Sequence, residues 1–215
     1  MESSNSRVIE ALRQELVAMR AEDLSVRQEL VDNGELVGAY VPRMEAVHVA
    51  NAARLRELVA EHGWPAEDIA GEDGAKAAWF IVQHAVGEPQ FQRNALTWLQ
   101  ACVAQKRVPA WNAAYLEDRI AFHEGRPQRF GTQWMDDPVD GRTRPWRLAD
   151  PARVDDLRAR VGLGPLPPIP EPGPELPADQ RRQLEENYQW WENWLASKGW
   201  RDSTASDSTE ISSAR

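Results

Sequence analysis

The sequence predicts a mainly α-helical protein: a compact multi-helix domain with one short β-hairpin, followed by a proline-rich linker and a tryptophan-rich C-terminal helix. Three observations lead to this prediction. Apolar residues recur every three or four positions in several long segments, as on the buried face of a helix. The turn sequence DDPVDG lies between two segments with a strand-like pattern. Residues 162–177 contain seven prolines and three glycines, which is typical of an extended linker.

Five helices are predicted before the hairpin. The first covers residues 5–33 and ends at the turn DNGE, and the second begins at the proline of YVP, residue 42. The third runs from about residue 73 through GAKAAWFIVQHAV and is apolar almost all round, which predicts the central, most buried position. The fourth starts at the proline of GEP, residue 89, and the fifth covers about residues 111–123.

The pattern changes after the fifth helix. RPQRFGTQWM and GRTRPWRL are expected to contain the two strands, and DPARVDDLRARVGLG is expected to form a compact helix. We therefore divide the chain into a helical domain (1–166), a proline-rich linker (162–177), a C-terminal amphipathic helix (178–200) and a serine-rich, disordered tail (201–215).

Composition and charge limit the classes of function. The 215 residues are 42% hydrophobic and 27% charged, as in an ordinary globular protein, and the net charge is −9. This charge argues against binding to nucleic acid or to an anionic membrane, because both require a basic surface. The N-terminus lacks the apolar core of a signal peptide, and no run approaches the ~20 apolar residues of a membrane span. Together with the single cysteine, Cys102, these features predict a cytoplasmic protein.

The sequence contains none of the short motifs that indicate a metal or a nucleotide cofactor. Its four histidines, at positions 48, 62, 84 and 123, show no HxH, HExxH or Cys-His spacing, and its glycines form no phosphate-binding loop. There is also no GxSxG nucleophile elbow. We therefore predict no metal and no cofactor.

Several polar residues nevertheless lie in segments that are expected to be buried. A buried polar group without a partner costs ~1–3 kcal/mol, so these residues should satisfy one another or a ligand. In the catalytic hypothesis, His84 is a general acid or base, Asp118 orients it, and Arg119 or Arg27 holds an anion. The neighbouring amide side chains would then recognise a small polar or amide-containing substrate.

The motifs HGWP, AAWFIVQHA, AYLEDR, RPQRFGTQ and VDDLRARVGLGPL occur in an order that resembles the DUF6624 family of bacterial proteins. The resemblance covers about residues 20–166, and Asp23 and Arg27 also fit that family's D-x-x-x-R element. The family is one of unknown function, so the resemblance implies no activity, and the tryptophan-rich helix lies beyond it. Besides His84 and Asp118, the resemblance implies these site residues, which we assign to substrate binding: Asp23, Arg27, Gln83, Gln92, Tyr115, Arg119, Gln128, Thr132 and Gln133.

A non-catalytic interpretation stays open. A histidine on an apolar helix face is commonly a core residue with satisfied hydrogen bonds, and an Asp-Arg pair four residues apart, such as Asp23 and Arg27, commonly stabilises one helix face. The polar residues would then only fix the fold. The C-terminal helix carries four tryptophans, which either pack on the main body or contact a protein partner or a second copy: Trp190, Trp191, Trp194 and Trp200.

Overall fold

The structure is a computed structural model that describes residues 2–36 and 40–201. Within these residues it is mainly α-helical with one antiparallel hairpin, which confirms the predicted fold class. A 3₁₀ turn, Pro151–Arg153, precedes the sixth helix. The elements are α1 (Glu2–Asp32), α2 (Pro42–His62), α3 (Glu67–His84), α4 (Pro89–Ala104), α5 (Ala110–His123), β1 (Trp134–Asp136), β2 (Thr143–Pro145), α6 (Val154–Arg160) and α7 (Ala178–Ser197).

Helix α3 lies at the centre, as its apolar sequence predicts, and packs against α1, α2, α4 and α5. It begins at Glu67, earlier than the sequence pattern indicates, because a first turn precedes a break at Gly71, where φ is 66°. The closest packing is with α1 at Gly74. A Cβ atom there would lie 3.2 Å from the Arg13 Cα, so the absent side chain lets the two helices approach.

The hydrophobic core joins all the long helices. Leu16, Leu55, Ile81 and Leu99 are fully buried side chains from α1, α2, α3 and α4. Helix α7 contributes the fully buried Leu195 to the same core cluster. The C-terminal helix is therefore part of the packed body, not a separate element.

The proline-rich segment is extended and follows the hairpin. The Gly173 amide donates a hydrogen bond of 2.7 Å to Asp140 Oδ2, and the Leu176 amide donates one of 2.7 Å to the Val139 carbonyl. Beyond α7, the buried Trp200 donates from Nε1 to the Val86 carbonyl over 2.7 Å. These contacts fix α7 across the end of α3. Residues 202–215, most of the predicted disordered tail, lie outside the described residues.

None of the helices in the described part of the chain is both long enough and apolar enough to cross a membrane. The cytoplasmic location stays a prediction.

Candidate functional site

Three potential metal ligands meet at one point between α1, α2 and α3. Asp23 faces inward from α1 and is completely buried, in line with the apolar positions that pack α1 on α3. His48 lies on the buried face of α2, and His84 is the last residue of α3. One oxygen or nitrogen atom from each of the three side chains lies within 4.8 Å of the others.

The carboxylate of Asp23 lies between the two imidazole rings. The Nδ1 atom of His84 is 3.1 Å from Asp23 Oδ2 and 3.3 Å from Oδ1. The Nε2 atom of His48 is 3.1 Å from the same Oδ2 atom. The two histidines lie on different helices and therefore face the same carboxylate oxygen from two sides.

The His48 contact is close but is not an aligned hydrogen bond. Among the described residues, the buried Nε2 atom has no hydrogen-bond partner, although Asp23 Oδ2 is 3.1 Å away. The hydroxyl of Tyr40 is hydrogen-bonded to the other ring nitrogen, Nδ1. The ring of His48 is thus held by Tyr40, with its free nitrogen next to the carboxylate.

The electrostatics favour an ionised Asp23. Burial alone would raise the pKa of this carboxyl, but the contacts with His48 and His84 outweigh it and hold the pKa below its ordinary value. Burial raises the pKa of Tyr40 well above its usual range, so its hydroxyl stays protonated. The cluster therefore combines an anionic oxygen ligand with two imidazoles.

His84 is the side of the cluster that solvent can reach. About 30% of its side chain is exposed, compared with 9% for His48 and 1% for Asp23. The Phe80 ring packs on the His84 ring at 3.9 Å between centroids, and the Arg20 guanidinium lies over Phe80 at 5.3 Å. An aromatic ring and a cationic group therefore border the accessible edge of the cluster.

A second group of polar side chains joins α3, α4 and α5. Gln83, the chain neighbour of His84, accepts a hydrogen bond of 2.9 Å on Oε1 from Arg119 Nε of α5. Gln92 of α4 is completely buried and donates from Nε2 to the Val82 carbonyl over 2.7 Å. Desolvation lowers the pKa of Arg119 to about 10, so it remains a cation at neutral pH.

Asp118 has a different environment from the one predicted. Its Oδ1 atom accepts from the Arg129 amide over 2.8 Å, both oxygens accept from the Phe130 amide, and Oδ2 accepts from the amide and the hydroxyl of Thr132, each over 3.0 Å. The carboxylate hydrogen-bonded to His84 is Asp23 instead. The prediction that Asp118 orients His84 is therefore corrected, because Asp118 organises the RFGTQ loop.

The amides of that loop also have partners within it. The completely buried Gln128 donates to the carbonyls of Gln133 (2.8 Å) and Trp146 (2.9 Å) and accepts from the Gln133 amide (2.8 Å). Gln133 donates from Nε2 to the Thr132 hydroxyl over 3.0 Å. These contacts fix the base of the hairpin, so the polar residues of this loop have a structural explanation.

Two further predicted site residues lie apart from the cluster. Arg27 is exposed, and in the described part of the chain no ion pair joins it to Asp23, so the expected pairing along α1 does not form. The Tyr115 ring lies 6.0 Å from those of Trp79 and Trp111 in an aromatic group between α3 and α5.

His48 was absent from the residues that we predicted for the site. The prediction of no metal rested on short spacing between histidines, whereas His84 and Asp23 are 61 positions apart in the chain. The one available signal was a histidine among the apolar positions of the second helix, which is equally typical of a core residue.

Helix α7 lies over the Tyr40 side of the cluster. The Tyr40 ring is 4.7 Å from the Trp194 ring and 6.4 Å from the Trp191 ring, both in edge-on geometry. The Trp191 ring also lies 6.1 Å from that of the buried His123 of α5. The tryptophan-rich helix therefore packs on the main body and supports the residue that holds His48.

The fold and these contacts define a helical protein with a buried Asp-His-His cluster at the meeting point of three helices. Residues 10–171 match the model of the DUF6624 family, a family of unknown function, and the chain belongs to that family. The match ends before α7 begins. Neither the curated proteins nor the solved structures contain a match to the chain.

Proposed function

We propose that the protein binds a divalent transition-metal ion through Asp23, His48 and His84, and uses it in the hydrolysis of a small polar substrate. The observation that carries the proposal is the buried Nε2 atom of His48. It lies 3.1 Å from an ionised carboxylate without an aligned hydrogen bond, as expected of two ligands that face a common point. A buried nitrogen whose contact with its neighbour is poorly aligned is only weakly satisfied, and a bound ion would give it a partner.

The donor set suits particular metals. Two imidazole nitrogens and one carboxylate oxygen are common ligands of Zn²⁺ and of Fe²⁺, whereas Mg²⁺ and Ca²⁺ prefer oxygen ligands alone. Structural zinc sites are normally closed by four protein ligands, but catalytic sites use three and leave a position open. Three ligands, one of them about 30% exposed at His84, fit the catalytic type.

Each residue has a distinct role in this proposal. Tyr40 holds the His48 ring through Nδ1, as partners behind metal ligands commonly do. Asp23 supplies negative charge, and His84 brings the centre to the accessible surface. A metal held by such ligands lowers the pKa of a coordinated water to near neutrality and polarises carbonyl groups. Gln83, the residue before His84, is hydrogen-bonded to Arg119, and in this proposal the two side chains bind the substrate.

A metal-free reaction is the second candidate, favoured by the His84–Asp23 hydrogen bond of 3.1 Å. A carboxylate on Nδ1 orients an imidazole so that its Nε2 atom can transfer protons, and this matches the general acid/base role predicted for His84. The two candidates differ over His48, because the metal-free reaction does not require its Nε2 atom.

The interaction-protein alternative receives less support. The apolar residues of α7 that could contact a partner are largely used within the chain: Leu195 and Trp200 are buried, and Trp191 and Trp194 pack on Tyr40.

Metal binding tests the proposal directly. Metal-free protein is titrated with Zn²⁺ by calorimetry and with Co²⁺ by visible absorption, which reports nitrogen ligands and coordination number. We expect one ion per chain, and at least about a 100-fold loss of affinity in His48→Gln and in Asp23→Asn. His62→Gln is the matched control, because His62 lies on the same helix near its exposed end and should leave the affinity unchanged.

The circular dichroism spectrum of each metal-free variant shows whether it has folded. If folded wild-type protein binds no ion, or if folded His48→Gln binds as tightly as wild type, the metal proposal is wrong.

A further inference from the structure

Arg119 carries a positive charge that no carboxylate neutralises within the described residues. Over residues 2–36 and 40–201, no aspartate or glutamate lies within ion-pair distance of its guanidinium group. Its hydrogen bond in that part of the chain runs from Nε to the neutral Gln83 Oε1 over 2.9 Å. Arg107, by contrast, binds both carboxylate oxygens of Asp68, at 3.0 and 2.9 Å. Arg119 is half-buried, and an arginine in such a position usually has an acidic partner, so the missing anion requires an explanation.

The Gln83 side chain gives independent evidence that an anion is missing. The residue is only 4% exposed, and its Nε2 atom is buried without a hydrogen-bond partner among the described residues. Because Oε1 accepts from Arg119, the amide orientation is set and Nε2 must act as a donor. One edge of the Arg119 guanidinium group and the Gln83 Nε2 amide group therefore both lack an acceptor. The two side chains are joined by the hydrogen bond to Oε1.

The neighbouring ionisable groups on α5 do not balance this charge, because the carboxylate of Asp118 faces the RFGTQ loop and His123 is neutral. His123 lies one turn after Arg119 and is almost completely buried. Burial, together with the charges of Arg119 and Arg201, lowers its pKa well below its ordinary value, so it is neutral. Arg201, the other cation nearby, donates to the carbonyls of His123 and Phe122.

We infer that Arg119 and Gln83, the residue before His84 on α3, bind a carboxylate group of the substrate. The free edge of a guanidinium group matches the two oxygens of a carboxylate, and the Gln83 amide adds a donor from the side. A phosphate dianion would require further cationic or backbone donors. The ligand class is therefore a small molecule that carries a carboxylate group. That this molecule is the substrate rests on the proposed function, whereas the binding of its carboxylate group does not.

The experiment follows the Arg119 side chain by NMR. Its Nε–Hε resonance is assigned in wild-type protein by through-bond correlation with the Arg119 backbone amide, and metal-free and Zn²⁺-loaded protein are each titrated with acetate and with inorganic phosphate. We expect saturable acetate shifts of this resonance in both forms. The side-chain amide resonances of Gln83, which are present in every variant, should show about tenfold weaker binding in Arg119→Lys, which keeps the charge but loses the bidentate geometry. Arg107→Lys is the matched control, because Arg107 already has Asp68 as its partner.

Each outcome decides the inference. Saturable acetate binding in metal-free protein supports it even if no ion ever binds, so its failure and that of the metal proposal can be told apart. An Arg119 resonance that does not respond to either anion overturns the inference. Phosphate binding about tenfold tighter than acetate overturns the carboxylate assignment. The wild-type titration decides these points even if Arg119→Lys does not fold.

Discussion

Replacing Asp118 by asparagine should lower the free energy of unfolding without weakening metal binding. The carboxylate accepts hydrogen bonds from three backbone amides and one hydroxyl of the Arg129–Thr132 segment. Asparagine keeps one acceptor oxygen and turns an NH₂ group towards the remaining donors, so about two of the four bonds are lost. At about 1.5–3 kcal/mol for each bond to a charged group, the loss is about 3–6 kcal/mol.

The lower end of that range is the better expectation. Burial raises the pKa of the Asp118 carboxyl, which means that keeping the charge in place is itself unfavourable, and the neutral amide avoids this cost. We therefore expect the free energy of unfolding to fall by about 3 kcal/mol, or the Tm by roughly 6–12 °C for a domain of this size.

Urea unfolding at neutral pH measures this change, with Glu117→Gln as the control. Glu117 is the adjacent acid and also contacts the Arg129 residue, but its ion pair is on the surface, so its loss should change stability by about 0.5 kcal/mol or less. If Asp118→Asn stays within about 1 kcal/mol of wild type, the carboxylate does not organise the loop. If its Zn²⁺ affinity falls as far as that of Asp23→Asn, the structural assignment of Asp118 is wrong.

Three further changes have specific expected outcomes. Gly131→Ala should cost about 2 kcal/mol or more in urea unfolding, because φ is 65° and the new Cβ would lie 2.5 Å from a Leu166 methyl group, whereas Gly164→Ala, which meets no atom within 4 Å, should be neutral. Trp200→Phe removes the hydrogen bond to Val86, so it should cost about 1–2 kcal/mol and speed limited proteolysis near the end of α7. Tyr40→Phe should weaken Zn²⁺ binding about tenfold in calorimetry, because His48 loses the hydroxyl that holds its ring, and an unchanged affinity would refute this role.

The helices and the hairpin could be predicted because their signals are local. An apolar residue every three or four positions indicates a helix wherever that helix later packs, and DDPVDG indicates a turn by its own chemistry. The start of α3 was placed too late for a related reason. Gly71 breaks the helical conformation after a single turn, and one turn is too short to produce a recognisable period.

The pairing of polar side chains could not be predicted, because it depends on how helices cross. Asp23 and His84 were both recognised as unusual in apolar surroundings, yet the expected carboxylate partner was Asp118. Asp118 and Asp23 are equally plausible in sequence, and only the close α1–α3 packing brings Asp23 to His84. His48 could not be predicted for the same reason, because its role depends on α1 and α3 placing Asp23 and His84 close to its Nε2 atom.

The distribution of unsatisfied polar atoms is the strongest general argument for a site at this place. Within the described residues, six buried side-chain atoms have no hydrogen-bond partner: His48 Nε2, Gln83 Nε2, Gln92 Oε1, Arg20 Nε, Asn112 Oδ1 and His123 Nδ1. Each such atom costs about 1–3 kcal/mol, and a fold shaped by stability alone would pair them or replace them with apolar groups. Instead four of the six lie around the last turns of α3: Gln83 belongs to this segment, Gln92 donates to the Val82 carbonyl, His48 faces the Asp23 carboxylate that binds His84, and Arg20 lies over the Phe80 ring. The other two, Asn112 and His123, lie on α5. A bound cation would satisfy His48 Nε2 and a bound anion would satisfy Gln83 Nε2, which explains why an otherwise well-packed core keeps these two positions open.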